Sequence, residues 1–329
     1  QLGELVAGVR THEQLIAERD VVLQPQPVLS DTAELRDGQV LWGWPHCVQD
    51  AVLTQHAIDR HLTLVAFEAM NHWGPDGSFS LHVFHKNNEL AGYASVLHAL
   101  QLIGSTGHYG PRRSAVVIGF GATARGAVTA LTALGVNEVD VLTHRQVAAV
   151  ASPIHSARIL HFGDGDGQNP ASHVDLPDAM VPLAPFLGEH DIIVNCVLQD
   201  TDAPMTFLGE DDLGHLAPGT LIVDVSCDAG MGFAWARPTS FADPTFVVGD
   251  GVTYYGVDHS PSHLWASAPW EITDALPPSI GAVPAGPPRR AADPTLAPAL
   301  AVRAGVIQNP AILSFQGRSP HHPHPPVAT

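Results

Sequence analysis

Lysine is almost absent from this chain. Lys86 is the only one in 329 residues, so every other fixed cation is arginine and any chemistry needing a lysine ammonium has a single candidate. Cations of either kind are scarce: fifteen Lys plus Arg face thirty-three Asp plus Glu, a formal net charge of −18. That balance argues against nonspecific binding to nucleic acid or to anionic membranes. No apolar run approaches the roughly 20 residues that span a bilayer, and no signal peptide is visible, so a cytoplasmic location is expected. Cysteine is rare too. Cys47, Cys196 and Cys227 are odd in number and far apart, a pattern of buried reduced thiols rather than of disulfides or metal ligands. No metal site is expected, because the twenty histidines are scattered. The sequence starts at Gln1 and reads as if from inside a domain, so an N-terminal part is expected to be missing. The length, with 45% apolar and 15% charged residues, suits a globular protein of two domains.

What is present centres on Ser114-Ala-Val-Val-Ile-Gly119-Phe-Gly121-Ala122-Thr123-Ala124-Arg-Gly126. An apolar strand runs into a glycine turn and then into a helix of small residues. Gly119 allows the tight turn, Gly121 lets backbone approach a pyrophosphate, and Ala124 lets the helix pack closely on the sheet, while Ala122 and Thr123 open the helix with free N–H groups. Glycine turns of this form also arise for structural reasons. The context favours dinucleotide binding: the helix runs to Leu134, stops at Gly135, and is followed by the strand Val139–Leu142, a βαβ unit. An NAD site usually carries Asp or Glu at the end of that second strand. Here the strand ends in Thr143-His144-Arg145. Arg145 can pair a 2′-phosphate bidentately with hydrogen bonds from Thr143 and His144, which favours NADP; the alternative is that Arg145 is a solvated loop cation.

Alternation of strand and helix signals predicts an α/β fold. Strands are expected at Asp20–Val28, Gly38–Trp44 and Leu62–Phe67, with helices at Thr11–Glu18 and Asp50–His61. A buried helix at about 89–103 links to the dinucleotide part. Further strands are expected at Ala157–His161, Asp191–Val197, Gly219–Val225 and Phe246–Val248, with helices at Ala179–Leu187 and Glu210–Leu216. After the turn Gly256–Pro261 a helix from His263 to Leu276 leads back. The end, rich in His and Pro, is expected to be disordered. The resulting division is a catalytic domain in residues 1–104, a Rossmann-type doubly wound dinucleotide domain in 105–258, and a return with its tail in 259–329, so that the second domain is inserted in the first.

Polar residues stand where strands end, the place where open α/β sheets bind ligands. Trp42-Gly-Trp-Pro-His46-Cys delivers a histidine; Leu23-Gln-Pro-Gln26-Pro27 presents an amide; Val223-Asp224-Val-Ser-Cys-Asp228-Ala-Gly230 carries two aspartates; and Val257-Asp258-His259-Ser260-Pro261 carries polar groups at a turn. Taken singly, such a histidine or aspartate is more often a satisfied loop or cap residue.

Taken in order, Leu35-Arg-Asp-Gly-Gln-Val, Gly43-Trp-Pro-His46, His85-Lys-Asn-Asn-Glu-Leu-Ala-Gly-Tyr93, Gly119-Phe-Gly, Asp191-Ile-Ile-Val-Asn195, Pro218 to Gly230 and Tyr255 to Pro261 resemble the alanine dehydrogenase and transhydrogenase family. Within it the pattern is most similar to the N5-(carboxyethyl)ornithine synthases. The resemblance implies NADPH-dependent reductive condensation of a pyruvate-like 2-oxo acid with an amine or amino acid; alternatives are alanine or saccharopine dehydrogenase-like activity. It implies His46 as acid and base, Asp228 beside the nicotinamide, Gly119 and Gly121 at the phosphates, Asn195, Cys196 and Val197 in the cofactor set, and His259 and Ser260 in a substrate-facing turn. Partners are then small molecules, with a homo-oligomer expected. Where the family carries a lysine that binds the oxo acid, this sequence has Gln26, and Lys86 is a possible replacement. The family's early arginine is expected in the part that precedes Gln1. Loss of the lysine leaves open a catalytically silent dinucleotide-binding protein.

Overall fold

Short runs rich in valine, isoleucine and leucine, such as Val40–Gly43, Thr63–Ala66, Ser114–Ile118 and Ile192–Asn195, are buried over nearly their whole length. Strands covered on both faces read this way. The computed structural model describes residues 8–27, 29–144, 157–163 and 172–327; Arg145 lies outside them. In chain order the elements are α1 (His12–Glu18), β1 (Val21–Leu23), α2 (Leu29–Glu34), β2 (Val40–Gly43), α3 (Ala51–Asp59), β3 (Thr63–Ala66), β4 (Asn71–Trp73), β5 (Phe79–His82) and α4 (His85–Leu102). Then follow β6 (Ser114–Ile118), α5 (Ala122–Ala133), β7 (Glu138–Thr143), β8 (Arg158–Gly163), β9 (His173–Leu176), β10 (Ala179–Pro182), α6 (Leu183–Gly188), β11 (Ile192–Asn195), β12 (Thr206–Leu208), β13 (Leu221–Asp224), β14 (Gly232–Phe233), β15 (Thr245–Val248) and β16 (Val252–Tyr255). The chain ends with α7 (Ala268–Ala275), α8 (Pro277–Ile280), α9 (Pro287–Ala292), β17 (Leu300–Arg303), β18 (Val306–Ile307) and α10 (Pro310–Phe315).

Two compact units result. Residues 1–84 and 273–329 form the first and residues 85–272 the second, so the second unit is inserted in the first. The boundaries drawn from sequence at 104 and 258 both fall inside the second unit.

The first unit is built on a sheet of order β1-β2-β3-β17-β18. β1, β2 and β3 are parallel, and β17 joins β3 antiparallel. Asp50 caps α3 by accepting from the amides of Val52 and Leu53 at 3.0 and 2.9 Å, satisfying donors the helix cannot.

The second unit has nine strands in the order β10-β9-β8-β7-β6-β11-β13-β16-β15. The six from β8 to β16 are parallel, and antiparallel strands close both edges. From β6 the chain winds first one way, to β7 and β8, and then the other, to β11 and β13. That reversal makes the unit a doubly wound Rossmann-type fold, with its switch point between β6 and β11. Phe162, Phe186, Phe207, Phe233 and Tyr254 fill one face of the sheet. On the other face Val117, Val141, Val194 and Val223 meet Val96 and Leu100 of α4 and Ala124, Ala127 and Leu131 of α5.

Three expectations are corrected. Residues 179–182 are not helical but form edge strand β10, whose pairing with β9 fixes them extended until Pro182; only the second half of the expected segment, α6, is helix. The helix expected from His263 is a 3-10 turn, Ser260–Leu264, followed by α7, whose Pro269 falls in the first turn where proline is tolerated. The tail is ordered. His324 is 1% exposed, its Nε2 accepts from the Ile307 amide at 3.1 Å, and its carbonyl accepts from Arg318 Nη1 at 3.2 Å. One buried imidazole that answers an edge amide of β18 outweighs the poor composition of the segment, and its prolines bring no amide of their own to satisfy.

Candidate functional site

The glycine turn of the second unit meets the geometric demands of a phosphate site. Gly119 follows β6 with φ +113°, and a Cβ there would lie 3.1 Å from the carbonyl of Cys196; only glycine fits. Gly121 starts α5 without a side-chain cap, and a Cβ on it would meet nothing within 4 Å. No side chain caps this twelve-residue helix at its start, an arrangement that suits a pyrophosphate. Ala124 is fully buried. The sequence reading missed two neighbours. A Cβ on Gly126 would lie 1.7 Å from the Glu89 carbonyl, and one on Gly92 would lie 1.9 Å from the Thr123 carbonyl, so each helix lays a glycine against the other's backbone. The signal was in plain view as glycine inside two helical segments.

Next to this turn, buried polar groups shape the ends of β11 and β13. Asp224 is wholly buried. Its Oδ1 accepts from Asn195 Nδ2 at 2.9 Å and from the Cys227 amide at 3.0 Å, and its Oδ2 accepts from the Tyr254 hydroxyl at 2.9 Å. Burial pushes its carboxyl up to about 6, against the pull of those three donors. Asn195 also accepts from the Val197 amide at 3.1 Å, so both ends of its amide serve the loop geometry. The network holds Cys227 in the left-handed region, φ +43°, one residue before Asp228. Burial raises the thiols of Cys196 and Cys227 far above the ordinary range, which keeps them unreactive.

At the end of β7, Thr143 is buried and His144 exposed; Arg145 lies outside the described residues. The turn after β16 holds His259 at φ +58° with its amide donating to Asp258 Oδ1 at 2.8 Å. Ser260 is buried and donates to the Ala91 carbonyl of α4 at 3.1 Å, tying that turn to the helix. Lys86, in the first turn of α4, lies 2.7 Å from Glu89 Oε2. That contact holds its ammonium above the ordinary range, with a smaller push from Glu271.

In the first unit, Gln26 and His46 stand on adjacent loops. Trp42 O accepts from the Gln24 amide at 3.0 Å and Pro25 O from the Trp44 amide at 2.9 Å. A Cβ on Gly43 would lie 1.9 Å from the Gln24 carbonyl, so the contact between the loops depends on that glycine. Trp44 rests on Phe67 and Phe84, ring centroids 4.8 and 5.1 Å away. His46 has φ +47°; its amide donates to Glu68 Oε1 at 3.0 Å, and its carbonyl accepts from the Asp50 amide at 2.9 Å. Glu68 was missed by the sequence reading, although it sits just past β3 as His46 sits past β2. It remains open to solvent on one side while protein crowds its carboxyl, and that desolvation pushes it up to about 7. Among the described residues no group of His, Cys, Asp or Glu could hold a metal ion.

A doubly wound sheet with this glycine turn, inserted in a second α/β unit, defines a dinucleotide-binding protein. The chain belongs to the alanine dehydrogenase/PNT family: the family model described as "Alanine dehydrogenase/PNT, C-terminal domain" matches residues 102–310. It is thus an oxidoreductase of a family that uses nicotinamide dinucleotides. An alanine dehydrogenase of Mycobacterium tuberculosis (strain CDC 1551 / Oshkosh) is 25% identical over 288 residues, 83% of this chain and 71% of the relative. An N(5)-(carboxyethyl)ornithine synthase of Clostridium botulinum is 24% identical over 269 residues, 78% and 70% of the two chains. Among solved structures, an L-alanine dehydrogenase shares the fold with a TM-score of 0.69 and 20% identity, covering 93% of this chain and 83% of that one. A transhydrogenase from Sinorhizobium meliloti does so at 0.65 and 19%, covering 90% and 83%. Among the described residues no helix is long and apolar enough to cross a membrane.

Proposed function

We propose that this protein is an NADP-dependent amino acid dehydrogenase that joins a pyruvate-like 2-oxo acid to the amine of an amino acid, the reaction type of an N5-(carboxyethyl)ornithine synthase. The observation that carries the reading is the strand end Thr143-His144-Arg145, which lacks the carboxylate of an NAD site. Gly119, Gly121, Ala122, Thr123 and Ala124 would hold the pyrophosphate, and Thr143, His144 and Arg145 the phosphorylated ribose. Asn195, Cys196 and Val197 would border the nicotinamide half, and Asp228 would orient its ribose. The bound cofactor supplies hydride to the imine carbon. His46 serves the steps before that: it gives a proton to the departing hydroxyl as carbinolamine collapses to imine and water, work suited to an imidazole near neutral pH. Gln26 would hydrogen-bond the oxo acid, and Lys86, His259 and Ser260 belong to the proposed substrate set. We assign the protein to the cytoplasm as a homo-oligomer.

Titration with both cofactors tests the cofactor assignment. NADPH should bind more tightly than NADH, and Arg145→Ala should cost NADPH about 1–3 kcal/mol while sparing NADH. Equal loss for both contradicts it. The resemblance also supports a second reading: with Gln26 where the family is expected to carry lysine, a protein that binds the dinucleotide without turning over is consistent with the same fold.

A further inference from the structure

β8 and β9 carry a polar cluster beside the end of β7 that the proposed reaction leaves unused. His161 is paired in register with Thr143, the last residue of β7. Its ring stands between two acceptors: Nδ1 lies 2.8 Å from Asp175 Oδ2, and Nε2 lies 3.2 Å from the carbonyl oxygen of His144. Asp175 is the cross-strand partner of His161 in the antiparallel β8–β9 pair, and its Oδ1 is 3.6 Å from His173 Nε2. Space there is tight, since a Cβ on Gly163 would lie 2.8 Å from that same Nε2. The ring of His144 packs edge-on against Phe162, centroids 6.1 Å apart.

Two consequences follow from this arrangement. His144 is the first residue past β7, where a Rossmann sheet reads the adenosine ribose, and His161 grips its carbonyl. Asp175 is a carboxylate that β9 places across β8 from that position, with His161 between them, and both its oxygens are directed to imidazoles. Left bare, it would repel a 2′-phosphate; faced by two imidazoles, it repels less.

We propose that His161 is a positioning residue for cofactor choice: oriented by Asp175, it fixes the His144 carbonyl and screens the carboxylate from the 2′ position of the adenosine ribose. The inference rests on the reading that the dinucleotide lies over the carboxyl ends of β6 and β7. The test is calorimetric titration of the full chain with adenosine 2′,5′-bisphosphate and with 5′-AMP. The wild type should bind the bisphosphate more tightly. His161→Leu, which can donate to neither partner, should lower the ratio of the two affinities at least tenfold. His161→Gln, whose amide can still donate to the carbonyl, should keep most of the ratio, and adding Asp175→Asn to His161→Leu should restore part of it. Asp175→Asn alone, a nearly isosteric change, should leave the bisphosphate bound and so keeps the test open if the leucine variant does not fold. An unchanged ratio in His161→Leu, or equal loss for both probes, overturns the role of His161 while leaving the NADP assignment standing. A wild type that binds neither probe, or AMP the better, overturns the underlying reading and this inference with it.

Discussion

A neutral amide at position 26 can hydrogen-bond a 2-oxo acid but cannot pair its charge, and a charge-assisted contact is roughly twice as strong as a neutral one. Gln26→Lys should therefore raise kcat/KM for the oxo acid by about tenfold or more, since the new ammonium would stand beside the His46 loop. No gain in steady-state NADPH oxidation would count against the view that position 26 is where the family's lysine acts. Lys86 offers little as a substitute, because its ammonium is held by Glu89 at 2.7 Å. His46→Ala should lower turnover by about 10²–10⁴-fold and leave cofactor affinity unchanged; normal turnover in the variant would reduce His46 to a structural role. The left-handed backbone at His46 and the hydrogen bond its amide donates to Glu68 could not be read from the sequence. They depend on β3 delivering a carboxylate twenty-two residues along the chain, a contact that no local pattern encodes.

Helices α4 and α5 meet through Gly92 and Gly126, each closer to the other helix's carbonyl than any Cβ allows. Overpacking at such a contact costs about 1–3 kcal/mol and sometimes more. Gly126→Val should fall at the upper end, seen as a lowered urea midpoint, and should also weaken dinucleotide binding because α5 follows the glycine turn proposed to hold the pyrophosphate. A variant as stable as the wild type would mean that the helices separate freely. At this scale the strands and the glycine turn were legible from β-branched runs and from glycine spacing. The antiparallel strands β9 and β10 at one margin of the sheet were not, since β10 pairs on one side only and β9, half-buried between it and β8, lacks the continuous apolar signature of β6 or β11. The ordered tail was hidden for a related reason. Its anchor is a histidine bonding to a strand seventeen residues away, and composition takes no account of such a partner.

For the molecule as a whole, the buried carboxyl of Asp224 sets a direction for stability against pH. It ionises near 4 in the unfolded chain and near 6 when folded, so the folded protein holds this proton more tightly. Its contribution is present below about pH 4 and is lost as pH rises through about 6; it amounts to about 3 kcal/mol in full, with roughly 1 kcal/mol lost between pH 5 and 8. Glu68, also raised, acts in the same direction, whereas Asp140, held down to about 2 by His190 and Arg158 against burial, is silent in that window. Urea midpoints should therefore fall from pH 5 to pH 8, and less steeply in Asp224→Asn; equal slopes would place that carboxyl in water. The measurement that bears most directly on the account is NADPH oxidation by the purified protein, followed with pyruvate and a panel of amino acids and ammonia as amine donors. A reductive condensation predicts oxidation that requires both pyruvate and an amine, is fastest with a diamino acid, and yields a secondary amine joining the two carbon skeletons. Tight NADPH binding without oxidation under any pairing, for the wild type and for Gln26→Lys alike, would contradict it.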